Sequence, residues 1–90
     1  MIIKFTDNFR RQYKKADVRI RKKLKLRLEI FKKNPNGPQL KNHPLQREYE
    51  GHRSIDITSD WRAIYRKAGK VDDEVIIYFT ALGTHSQLYG

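Results

Sequence analysis

The spacing of hydrophobic residues changes along the chain, and the change divides it into two halves. Ile2-Ile3-Lys4-Phe5 crowds apolar residues into a short strand. Phe5, Phe9 and Tyr13 then recur every four residues, which places an aromatic stripe along a first helix. Thr6 or Asp7 offers a side-chain oxygen to the free N–H groups of its first turn. Ala16-Asp17 interrupts the pattern, with Asp17 available to cap a second helix. From Val18 to Lys33, the residues Ile20, Leu24, Leu28 and Phe31 keep helical spacing, flanked by Leu26 and Ile30. A helix covers a sheet with such a stripe, so these positions are the candidate core.

Asn34-Pro35-Asn36-Gly37-Pro38 opposes helix continuation, and a loop of little periodicity runs from Gln39 to Glu50. The period then falls to two. Ile55 and Ile57 alternate with Ser54, Asp56 and Thr58, and Trp61, Ala63 and Tyr65 alternate with Arg62, Ile64 and Arg66. A turn is expected at Ala68-Gly69-Lys70, followed by a strand over Val75 to Thr80 that is β-rich on both faces. Helices first and strands afterwards predict one α+β domain over residues 1–90, with two N-terminal helices on one face of a small twisted antiparallel sheet. The other face is expected to be open to a ligand.

Charge adds a partner to this picture. The net charge is +10 over 90 residues, and its placement is uneven. Between Arg10 and Lys33 stand twelve Lys or Arg against Asp17 and Glu29, while the remainder balances eight against eight. Like charges concentrated in one segment repel each other, and a polyanion relieves that repulsion with release of counterions. Lys22, Lys23, Lys25 and Arg27 are therefore candidate nucleic-acid contacts, RNA among them. An anionic membrane surface fits less well, because the segment lacks a Trp- or Phe-rich apolar face. The chain has no cysteine, no charged leader before an apolar stretch, and no apolar run near the roughly 20 residues of a spanning helix, so a cytoplasmic protein is expected.

Candidate chemistry collects on the uncovered strand face and in the C-terminal residues. Ser54, Asp56 and Arg62 lie on that face, with Asp60 at the turn, His43 in the loop and His85 near the end. RNA cleavage without a metal requires a base for the 2′-OH, an acid for the departing 5′-oxygen, and a cation for charge growing on phosphorus. His43, His52 and His85 show no metal-ligand spacing, and neither a metal nor a cofactor is expected.

Four stretches carry a family resemblance. His43-Pro44-Leu45-Gln46, then Gly51 and Arg53, then Asp60-Trp61-Arg62-Ala63-Ile64-Tyr65, and finally Gly83-Thr84-His85-Ser86-Gln87-Leu88-Tyr89-Gly90 resemble the YafQ branch of the RelE superfamily of bacterial type II toxins. The resemblance covers the second half of the chain in order; the first half matches in helix layout and basic charge. It implies a RelE/ParE-like fold, entry into the ribosomal A site, cleavage of mRNA there, and silencing by a partner antitoxin. It also implies that His85 is the general acid, that Asp60 and His43 are functional, and that Tyr89 orients or stacks a base. Arg62 resembles an arginine that serves the scissile phosphate in RelE, and Arg53 is a further RNA-contact candidate.

Two positions depart from the family pattern. Aspartate is usual where this chain has Ser54, and histidine where it has Asp56. The general base is therefore left between Asp56, Asp60 and His43. The expected function is a ribosome-dependent endoribonuclease that acts on mRNA by acid–base catalysis. Its rivals are a ParE-like toxin that poisons gyrase by binding, and a catalytically weakened RNA-binding homologue. The antitoxin is expected as an acidic or amphipathic segment over the basic helices.

Overall fold

The computed structural model describes residues 1–90. Its elements run β1 (Ile2–Phe5), α1 (Asp7–Lys15), α2 (Val18–Lys33), β2 (His43–Pro44), β3 (Arg53–Asp56), β4 (Trp61–Val71), β5 (Glu74–Thr84) and α3 (His85–Tyr89). Short 3-10 turns at Pro38–Leu40 and Arg47–Tyr49 fill the loop on either side of β2. The five strands form one sheet in the order β1-β5-β4-β3-β2.

Both helix starts follow their side-chain caps. The Thr6 hydroxyl accepts from the Phe9 N–H at 3.2 Å, and Asp17 accepts from Arg19 and Ile20 at 2.9 and 3.1 Å. Between the helices Ala16 is extended and buried, which turns the chain back toward the sheet. At its end α2 closes with the Asn34 N–H donating to the Ile30 carbonyl, and Pro35 follows.

Phe9, Ile20, Leu24, Leu28 and Phe31 on the helices meet Ile55, Ile57, Ala63, Tyr65, Ile77, Phe79 and Leu82 on the sheet. Phe31 is at the centre, fully buried, with the rings of Tyr65 and Phe79 at 4.9 and 5.4 Å. Docking of α1 is completed by polar contacts. The β4–β5 register shifts between Ile64 and Tyr65, where Thr80 is the extra residue, and its carbonyl accepts from the Asn8 amide and the Thr6 hydroxyl. A bulge displaces a ladder carbonyl from its usual partner, and here the helix supplies the replacement.

Three features differ from the sequence reading. The sheet is mixed, because β1 runs parallel to β5 while the other pairs are antiparallel. This pair joins the first and last strands, separated by two helices and three strands, so no local pattern in the sequence sets its direction. The expected turn at Ala68-Gly69-Lys70 is instead strand: Gly69, at φ +123°, sits at a register shift, and the hairpin closes at Asp72-Asp73. Both aspartates have positive φ (51° and 66°) between the paired residues Val71 and Glu74, the arrangement a two-residue hairpin turn requires. Finally, the second sheet face is not fully open. The C-terminal residues form α3 through a capping box in which Thr84 and Gln87 bond reciprocally, and α3 lies against that face. A Cβ on Gly83 would meet Leu88 at 3.3 Å, so this glycine admits the close approach.

Replacing Phe31 with alanine is expected to destabilise the fold by about 3–5 kcal/mol, the loss typical of a central buried aromatic. Chemical denaturation of both proteins measures it; a loss below about 1 kcal/mol would contradict the central packing assigned to this ring.

Candidate functional site

Asp56 and Arg62 are direct partners in the β3–β4 register, on the face away from α1 and α2. The Arg62 Nε lies 3.0 Å from the Asp56 Oδ1, and both side chains are largely buried. Arg62 Nη1 also donates to the carbonyls of Thr58 and Trp61 at 3.0 and 3.1 Å. The turn that provides these carbonyls is tied by the Thr58 hydroxyl, which accepts from the N–H groups of Asp60 and Trp61. Nη2 is left without a protein partner, and it is the natural donor for an anion in the cleft.

His43 reaches the same cleft from β2, where it pairs with Ser54. Its ring is exposed, and Nδ1 lies 2.9 Å from the carbonyl oxygen of Lys41. A carbonyl only accepts, so Nδ1 carries the hydrogen of this bond and Nε2 of the neutral ring presents a lone pair. That is the tautomer a general base needs.

His85 is the first residue of α3, and its backbone N–H donates to the Asp60 carbonyl at 2.9 Å. Its exposed ring meets the ring of Tyr89 at 4.8 Å, one turn along the helix. The Tyr89 hydroxyl in turn donates to the hydroxyl of Ser54 at 3.2 Å. Ser54 is fully buried, so this bond anchors the end of α3 to the middle of the sheet. The cleft has a volume of about 490 Å³ and is lined by His43, Asp56, Arg62, His85 and Tyr89, with Lys41 and Leu45 at its side. Lys41 was invisible to sequence reasoning. It enters the cleft after a 3-10 turn that it ends in the left-handed conformation, φ +46°, and no periodicity marks such a position.

Other expected site residues fall elsewhere. Asp60 is exposed on the turn and does not line the cleft; its part is the backbone carbonyl that holds His85. Arg53 is on the opposite face, because successive strand residues alternate. Its Nε donates to Asn42, which donates to the Tyr65 hydroxyl and the Pro35 carbonyl, so Arg53 braces the loop. Ser54 supports the cleft from beneath. Lys22, Lys23, Lys25 and Arg27 ride on α2, across the sheet from the cleft, and Arg27 Nη1 donates to the Gln39 carbonyl. No three imidazole or carboxylate groups converge as metal ligands, and no helix is long and apolar enough to cross a membrane.

The cleft thus joins two imidazoles, an arginine with a free donor and a lysine, and its one carboxylate is already paired. Such a set attracts an anion and can exchange protons on either side of it.

Comparison with known proteins agrees over the full length. Residues 1–90 match the family model described as the bacterial toxin of type II toxin–antitoxin system, YafQ. The mRNA interferase toxin YafQ of Escherichia coli strain B/BL21-DE3 is 30% identical over 92 residues, covering 98% of this chain and 95% of that protein. The crystal structure of YafQ from E. coli BL21(DE3) has a TM-score of 0.78 at 29% identity, covering 98% of this chain and 97% of that one. A chain of the E. coli DinJ–YafQ toxin–antitoxin complex has a TM-score of 0.70 at 31% identity, with 98% and 96% covered. Full-length family match, sequence identity and fold agree, and the chain belongs to the YafQ family of bacterial type II toxins.

Proposed function

We propose that this chain is the toxin of a toxin–antitoxin pair and an endoribonuclease that cleaves mRNA on the ribosome by acid–base catalysis. The observation that carries the reading is the single cleft that His43, Arg62 and His85 all line. His43 Nε2 takes the proton of the 2′-OH as the 2′-oxygen attacks phosphorus. The P–O5′ bond breaks, and His85 gives its proton to the departing 5′-oxygen. Electrons and protons balance within the pair, and the products are a 2′,3′-cyclic phosphate and a free 5′-OH. Arg62 Nη2 and Lys41 stabilise the charge on the phosphoryl oxygens.

This assignment selects among the three candidate bases. Asp60 is outside the cleft, and Asp56 is engaged by Arg62, so its role is to orient the guanidinium. His43 is left, with its tautomer set by the Lys41 carbonyl. The departures at Ser54 and Asp56 then shift work to other groups without emptying the cleft. A toxin that acts by binding gyrase has no use for two imidazoles converging with an arginine.

RNA provides its own nucleophile, so the rate depends on in-line placement of the 2′-oxygen. A shallow cleft on a 90-residue domain holds few nucleotides, and the ribosome supplies the missing constraint on the mRNA. The basic surface of α2 faces away from the cleft and suits ribosomal RNA. It also suits the antitoxin, since Val18 and Leu26 are exposed among its cations and give an amphipathic acidic segment apolar contacts. Action on ribosomes places the toxin in the cytoplasm.

Replacing His85 or His43 with glutamine should lower the single-turnover cleavage rate on ribosome-bound mRNA by about 10²–10⁴-fold. The pH–rate profile distinguishes their roles: the His43 variant loses the acidic limb and the His85 variant the alkaline limb. An unchanged rate in either protein removes that residue from the chemistry. Arg62→Ala should cost about 10²-fold in rate with little change in mRNA binding, because its free donor acts on charge that develops in the transition state. Equal losses in binding and rate would instead make Arg62 a simple anchor.

A further inference from the structure

A second hollow of about 540 Å³ adjoins the cleft and shares Leu45 and Tyr89 with it. One wall is the 3-10 turn Arg47–Tyr49 and the other is α3. Aromatic rings run continuously from one space into the next. His85 meets Tyr89 at 4.8 Å, Tyr89 meets Tyr49 at 5.9 Å with the planes at 85°, and Tyr49 meets His52 at 6.1 Å.

The turn is held in place before any ligand arrives. Tyr49 donates its N–H to the Gln46 carbonyl, Glu50 donates to Arg47, and His52 donates to Tyr49. Arg47 adopts φ +59°, a left-handed conformation that a side chain other than glycine's adopts at a cost, as at other binding turns. Polar groups ring the hollow. Gln87 Oε1 is used by the Thr84 N–H, which leaves its amide nitrogen as a donor, and Gln46 and Glu48 stand on the opposite wall. Burial pushes the Tyr49 phenol up, helped by the neighbouring Tyr89 and Glu48, so its hydroxyl stays protonated.

We propose that this hollow is a nucleobase subsite, which takes the base of the nucleotide immediately 3′ to the cut. Two rings at right angles give a planar base one face to stack on and one edge to abut, and the surrounding amides and carboxylate address its hydrogen-bonding edge. The direction follows from the proton transfer assigned above: His85 serves the 5′-oxygen of that nucleotide, and the ring series leads from His85 through Tyr89 to Tyr49. Direction therefore rests on the nuclease reading; the stacking does not. Tyr49 is on this argument a specificity residue.

The test uses a short RNA made uncleavable by a 2′-deoxy sugar at the cut position, and the same RNA with the following nucleotide abasic. NMR titration of the intact protein should shift the ring signals of Tyr49 and Tyr89 with the first RNA and leave Tyr49 unmoved with the second. Tyr49→Ala should weaken the first RNA about tenfold, to the level of the abasic one, whereas Tyr49→Phe stays within about twofold. On ribosome-bound mRNA, Tyr49→Ala should flatten the base preference after the cut while cutting continues. Unmoved Tyr49 signals, or equal weakening of both RNAs, overturn the subsite even if the protein cleaves mRNA. Base-dependent binding through Tyr49 in a protein that cuts no mRNA leaves the subsite standing and removes the nuclease reading.

Discussion

The Arg62 guanidinium is clasped by the Asp56 carboxylate on one side and by the Thr58 and Trp61 carbonyls on the other. A largely buried cation needs such compensation, since an unpaired charge in that position would cost several kcal/mol. Its consequences extend past the pair. The carbonyls come from the turn between β3 and β4 and from the first residue of β4, so satisfying the arginine holds that turn in one shape. The same turn presents the Asp60 carbonyl to the His85 N–H. One buried charge is thereby linked, through this segment, to the start of the terminal helix, which its own capping box closes. Asp60 itself stands outside the cleft and is joined to it by this backbone bond.

The far end of α3 is held as firmly. Tyr89 reaches down to the buried hydroxyl of Ser54, and the reciprocal Thr84–Gln87 bonds close the first turn. A helix of five residues has little stability of its own, because nucleation costs more than so few hydrogen bonds return. It persists here through its caps and its contact with the sheet. Ser54, buried beneath Tyr89, therefore supports the site by anchoring the end of α3.

The two sheet faces divide the work. Aromatic packing of Phe31, Tyr65 and Phe79 under the helices holds the domain together, and the cationic surface of α2 lies beyond that layer. The opposite face carries two imidazoles and a compensated arginine. Separating them lets a polyanion or an acidic partner occupy the basic helix without competing for the cleft. Repulsion among the lysines of α2 is spread over an exposed surface, and the cleft remains only modestly cationic.

Much of this was readable in advance, and the boundary is physical. Both helix caps, the extent of α2, its buried stripe and the break at Asn34-Pro35 follow from local rules: hydrogen-bonding reach, a 3.6-residue period and proline's missing N–H. Period-two alternation likewise put Asp56 and Arg62 together on one face. Even α3 had a local sign, the Thr84-x-x-Gln87 box, though the histidine and hydroxyls around it read equally as an irregular tail. The hairpin was misplaced because Gly69 suits a bulge as well as a turn, while Asp72-Asp73 adopts a conformation that aspartate tolerates and does not announce. Those elements needed only neighbours along the chain. The parallel pairing of β1 with β5, the exclusion of Asp60 and Arg53 from the cleft, the entry of Lys41 and the edge-to-face contact of Tyr49 with Tyr89 needed more. Each depends on groups distant in sequence meeting through the packed sheet, where direction, face and distance are set jointly by the whole core and by no single segment.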